Sequence, residues 1–209
     1  MQKLFYLFLG FFLLGFVQLS HPWKLDLDKD DIKVYVRKTD SSSIKEYKAV
    51  MEVNAPMDTV LKKILDIKNL KNWSYKTNNS VLIKKLSDTS WVFYIQNNFD
   101  WPVKDRDHVS KVVLSRKKKE CTVALTAANN IVKINPKIIR IKHFRGFWHL
   151  KKVDERNTIV TQQLFGDPEA NIPAFVVNSM LSKAPYETFK AMKNQLENRT
   201  KNSVGKNKN

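Results

Sequence analysis

The chain is poor in the residues that announce chemistry: one cysteine, five glycines and four histidines in 209 residues. A lone Cys121 excludes an intramolecular disulfide. So few glycines leave no glycine-rich loop to cradle a phosphate, and no Gly-x-Ser-x-Gly elbow is present. His143 and His149 have neither a cysteine nor a carboxylate cluster beside them, and His21 and His108 stand alone, so no zinc spacing exists. No metal and no cofactor is expected. No apolar run reaches the ~20 residues of a membrane-spanning helix. Arginine is also scarce, 7 of 37 cations, whereas a nucleic-acid surface favours the arginine fork for phosphate and base edges. A nucleic-acid partner is not expected.

What the chain does have is lysine, and a formal net charge of +17. Leaving out the first 20 residues and residues 199–209 still leaves +12, so the excess is spread over the fold. Part of it follows from a lysine- and asparagine-rich composition. A diffuse cationic surface would also favour an anionic membrane, at ~1 kcal/mol for each nearby lysine. Residues 1–20 read as an export leader: Lys3, then an apolar run over 4–17 broken only by two glycines. Ser20 suits the end of a cleaved leader and Gln18 does not, so an uncleaved N-terminal anchor is the alternative. Either way the chain is expected in the periplasm or cell envelope.

Residues 32–39 alternate, with Ile32, Val34 and Val36 on one face, and residues 44–53 follow Ser41-Ser42-Ser43 as a second strand. Pro56 opens a helix carrying Val60, Leu61, Ile64 and Leu65 on one side, and residues 69–73 add a turn. Strands are expected at 81–87, 90–99, 108–115, 121–128, 138–144, 145–153 and 158–165. After Gly166-Asp167-Pro168 the period becomes helical over 173–198, ~39 Å of helix. A hairpin, helices, an antiparallel meander and one long C-terminal helix make an α+β domain over 21–198. The polar, aromatic-free tail over 199–209 is expected to be disordered.

Two segments carry a family resemblance. The first is Asn98-Phe99-Asp100-Trp101-Pro102-Val103-Lys104-Asp105-Arg106-Asp107-His108-Val109, a proline-bearing turn between two strands. The second is Gly146-Phe147-Trp148, followed by Gly166-Asp167-Pro168, Ile172-Pro173 and Val177-Asn178. In this order they resemble the START family (StAR-related lipid-transfer domain) over residues 23–197. The resemblance implies a helix-grip fold: a curved antiparallel sheet wrapped around the long C-terminal helix, with a lipid-sized cavity between them. It implies non-covalent binding, or transfer, of a lipid or other hydrophobic molecule by a monomer. An aromatase/cyclase-like enzyme of the same superfamily is the alternative, for which Gln163, Thr161 and His108 are the polar candidates. No catalytic residue is assigned.

Within that frame, Val112, Trp148, Leu150, Phe165, Val177, Met180, Leu181 and Ala184 are expected to line the cavity, and Gln163 to orient a headgroup. On the helix, Val177, Met180, Leu181, Ala184, Thr188, Ala191 and Met192 share one stripe, thin enough in bulk to face either core or cavity. Pro185 is expected to kink that helix. Trp101 and Pro102 stiffen the turn, and Arg106 with Asp107 is expected to fix the strand start. Some sterol-handling relatives bury an arginine–acid pair in the cavity. The matching positions here are Val112 and, on the preceding strand, Gln96, so that pair is expected to be absent.

Overall fold

The computed structural model describes residues 21–100, 103–169 and 172–206, with side chains to residue 198. The export leader expected over 1–20, Trp101 and Pro102 therefore lie outside the described residues. Period-two alternation builds the rest of the N-terminal half. β1 (Lys24–Lys29), β2 (Ile32–Thr39) and β3 (Ser42–Val53) form a meander, and α1 (Met57–Leu65) follows with a short 3₁₀ turn over Ile67–Asn72. α1 buries Val60, Leu61 and Ile64, spaced to share one helix face. β4 (Thr77–Ser87), β5 (Ser90–Asn97), β6 (Arg106–Arg116) and β7 (Glu120–Ala127) continue the antiparallel run. β8 (Ile139–Arg140), β9 (Phe144–Lys152) and β10 (Thr158–Gly166) precede α2 (Ala174–Met180) and α3 (Lys183–Lys206).

The sheet order is β1-β2-β3-β10-β9-β7-β6-β5-β4, antiparallel throughout, with β8 added parallel to β6. Register shifts along β1–β2, β2–β3 and β4–β5 bend and twist the outer strands. The sheet thereby curves around α3, the helix-grip α+β architecture expected from the sequence. Among the described residues no helix is long and apolar enough to cross a membrane.

Three departures from the expected elements have local causes. β1 was missed because its burial is slight; it is held by a two-residue turn in which Asp30 and Asp31 take positive φ of 54° and 60°. Two left-handed residues are what a type I′ hairpin needs, and Asp accepts that geometry where Gly is absent. The Tyr186 hydroxyl donates to the Asp30 carboxylate at 2.5 Å, tying the turn to α3. The strand expected over 138–144 shrinks to β8, because β7 pairs with β6 only as far as Ser110 and leaves just its first residues free on that edge. The long C-terminal helix is two helices, broken at Leu181 and Ser182. Pro185 thus falls in the first turn of α3, where a missing N–H breaks no bond, rather than kinking a helix interior. α3 also continues past Asn198 to Lys206, into the stretch expected to be disordered.

Gly146 in β9 permits the close approach of β10. A Cβ there would lie 2.3 Å from the Gln163 carbonyl oxygen, which is backbone and cannot swing away. Gly146→Ala should cost on the order of 1–3 kcal/mol as the two strands are forced apart, read as a lower urea midpoint at unchanged slope.

Candidate functional site

The inner face of the sheet and α3 meet fully only at one end. There Phe189 and Met192 are 0% exposed and pack with Leu196, Leu150 and Val160. Toward the start of α3 the helix face shrinks to Ala184 and Thr188, and the sheet curves away. The gap is a cavity of about 340 Å³, within the range of small-molecule sites. Trp148 forms its floor, stacked on Phe189 at 5.6 Å between centroids and met edge-on by Trp73 at 6.1 Å. Val112, Val123 and Phe93 continue the apolar wall. α2 roofs it with Val176, Val177 and Met180, and Leu181 follows at the helix end, yet α2 buries no residue completely. Asn178 fastens this roof to β3: its Oδ1 accepts the Lys45 N–H at 2.9 Å and its Nδ2 donates to the Ser43 carbonyl at 3.2 Å.

Six of the expected lining residues, Val112, Trp148, Val177, Met180, Leu181 and Ala184, come together here. Three do not. Leu150 faces inward one step beyond Trp148 and is consumed by the closed core. Gln163 and Phe165 point to the outer face, where Gln163 donates to Glu46 at 3.1 Å and Arg145 lies 4.5 Å over the Phe165 ring. The phase of β10 was assigned one residue out, which reverses every side chain on a strand. Its inward residues are Gln162 and Leu164. Gln162 accepts the Tyr47 hydroxyl at 2.9 Å, and burial pushes that phenol well above its ordinary pKa. Thr161 shares the outward phase, so of the polar set considered for an enzyme only His108 faces the cavity. The helix stripe divides: its start lines the cavity, and Met192 belongs to the core.

The larger surprise is the Asp105-Arg106-Asp107 run, expected to be a local arginine–carboxylate arrangement. Neighbours on a strand face opposite ways. Asp107 points outward and is bound in bidentate fashion by Arg140, Nε at 2.6 Å and an Nη at 3.0 Å, both side chains 2% exposed or less. Arg140 spends a further donor on the Val132 carbonyl at 3.1 Å, so the pair anchors the loop before β8. Asp105 accepts the Phe99 amide at 3.1 Å. Arg106 points inward, 3% exposed, and lines the cavity. A buried Arg–Asp pair therefore exists, outside the cavity, at positions that sequence reasoning did not pair. Gln96, expected opposite Val112, also faces away; its neighbours Ile95 and Asn97 line the cavity. Among the described residues, no His, Cys, Asp or Glu cluster could hold a metal ion.

β6 presents Arg106, His108, Ser110 and Val112 along one line into the cavity. His108 stacks on Phe144 at 4.6 Å, and its Nδ1 has no hydrogen-bond partner. Desolvation holds its pKa down to about 4, against an ordinary 6.5, more than Asp107 can offset. The unfolded chain therefore takes up this proton first as pH falls. The associated stability is complete above pH 6.5 and lost progressively toward pH 4. In NMR titration the His108 ring should shift near pH 4, and His108→Gln should flatten the stability profile between those two values.

Comparison with known proteins places these features. The START domain family model matches residues 17–202. An uncharacterized protein of Pseudomonas aeruginosa is 30% identical over 183 residues, 87% of this chain and 90% of that protein. The crystal structure of a STAR-related lipid transfer protein fragment from Xanthomonas axonopodis is 29% identical, with a TM-score of 0.78 over 84% of this chain and 98% of that one. Human StAR-related lipid transfer protein 5 shares the fold at 15% identity, TM-score 0.76, over 85% of this chain and 88% of its own.

Proposed function

The chain belongs to the START family, and from that premise we propose that it takes up one lipid or other hydrophobic molecule in the cavity between β6 and α2, without covalent chemistry. The observation that carries this is the mismatch between α3 and the sheet: an apolar space with a tryptophan floor lies under a roof that is pinned by one asparagine and nowhere fully buried. Each methylene moved from water into such a space contributes ~0.8 kcal/mol, so a single acyl chain supplies the driving force. α2 is the element that opens. None of its seven residues is fully buried, and Phe175 stands 75% exposed on it.

That exposed ring fits contact with a membrane, where an aromatic side chain enters the headgroup layer. The lysine-rich surface adds attraction to anionic lipids. The leader over 1–20, cleaved or retained, would bring the domain to the cell envelope, where both features are useful. The test is extraction of a fluorescent lipid from anionic vesicles. Wild type should remove it, with one lipid per chain after gel filtration. Phe175→Ala should slow extraction severalfold and leave affinity for the same lipid in detergent-free solution unchanged. A wild type that leaves every vesicle lipid in place would defeat the proposal.

A further inference from the structure

We infer that Arg106 is the anion-recognition residue of the cavity, and that the ligand is an amphiphile with a carboxylate or phosphate headgroup. The inference rests on the lipid-container reading and adds the headgroup chemistry.

Arg106 is 3% exposed and lines the cavity. It carries five N–H donors. Of these, one Nη donates to the Lys104 carbonyl, and the Phe99 ring lies 5.5 Å from the guanidinium carbon. Among the described residues no carboxylate lies within ion-pair distance of it. Asp107, its chain neighbour, is sequestered by Arg140 on the other side of the strand. Asp105 is held by the Phe99 amide. No described residue lining the cavity is Asp or Glu. The residues outside the description cannot supply a side-chain counter-charge either, since none of 1–20, 101, 102, 170, 171 and 207–209 is acidic.

A cation taken from water without a partner is strongly disfavoured. Burial already lowers the Arg106 pKa, only partly offset by the Asp105 charge. An anionic oxygen pair would satisfy this fork through charge-assisted hydrogen bonds. The next inward positions agree. His108 Nδ1 and Ser110 Oγ are buried without partners on the same line of β6, and Val112 follows. A molecule laid along β6 would thus meet a cation, then two neutral polar groups, then apolar wall. That gradient matches a headgroup, a polar junction and a chain.

The full-length chain can be tested with oleate, oleyl phosphate and oleyl alcohol, which present one tail with different heads, by displacement of a fluorescent fatty alcohol. Wild type should bind at least one anionic probe ~10-fold or more tightly than the alcohol. Arg106→Met should bring that probe to the alcohol's affinity, and Arg106→Lys should keep part of the preference. Should Arg106→Met not fold, the wild-type comparison and the lysine variant decide. Equal wild-type affinity for all three probes would overturn the headgroup assignment while the container reading stands. Failure to bind any of them would overturn the container reading itself. Inorganic phosphate displacing the fluorophore as well as oleyl phosphate does would mean a free-anion site and overturn the lipid assignment.

Discussion

Asp107→Ala should destabilise the fold by about 3–5 kcal/mol, the usual cost of removing one member of a buried ion pair. The reason is the isolation it leaves behind. Arg140 directs two donors at the Asp107 carboxylate, at 2.6 and 3.0 Å, and neither side chain meets solvent. Without the carboxylate the guanidinium keeps only carbonyl acceptors, at Asn129 and Val132. The loop ending in β8 is attached to β6 chiefly through this pair and a few backbone bonds, including Ile141 N–H to the Asp107 carbonyl at 2.8 Å. For a domain of this size the loss corresponds to a fall in Tm of roughly 6–20 °C. Replacing both residues, as Asp107→Leu with Arg140→Met, should recover much of it, because two apolar groups leave no uncompensated charge. A calorimetric Tm within a degree of wild type for Asp107→Ala would show that the pair holds nothing.

Ala184→Trp should abolish ligand uptake, lowering affinity by ~100-fold or more, and Met180→Trp should do nearly as much. Ala184 opens the second helix on its cavity face, and Met180 ends the roof helix. An indole in either place occupies the volume a lipid chain would take. In a filled core such an insertion costs ~1–3 kcal/mol of stability. In a gap of about 340 Å³ it meets space instead, so Tm should hold or rise while a fluorescent lipid no longer binds. Trp substitution at Met192, which is 0% exposed in the closed core, is the contrasting control and should unfold the domain. If all three variants behave alike, the cavity and the core are not distinct.

Much of this was legible in the sequence. Most sheet strands announced themselves by alternation, β1 excepted, α1 by its spacing of Val60, Leu61 and Ile64, and the roof and floor through Met180, Ala184 and Trp148. What escaped detection did so for physical reasons. Strand periodicity gives a face but not which face is inner, and β10 has acceptable residues on both, so Gln163 and Phe165 were placed inside instead of Gln162 and Leu164. The break between α2 and α3 leaves no periodic trace, since Leu181 and Ser182 both suit a helix. It depends on bonds from Asn178 to β3 and from Ser182 to Asp26, residues far away in the chain. The partner of Asp107 lies 33 positions along. With Arg106 adjacent, local reading had a nearer cation to choose. The signal that could have separated them is the strand itself: adjacent residues of β6 cannot share a side, so Arg106 and Asp107 had to part.

Occupancy of the space under α2 by a ligand underlies both the proposed function and the headgroup assignment. Native mass spectrometry of the full-length protein, purified without detergent and mixed with one equivalent of oleate or oleyl phosphate, tests it most directly. Wild type should give a one-to-one adduct that disappears under denaturing conditions and is absent from Ala184→Trp at the same concentrations. A bare polypeptide mass in wild type with both probes, or an adduct of equal abundance in Ala184→Trp, would contradict it.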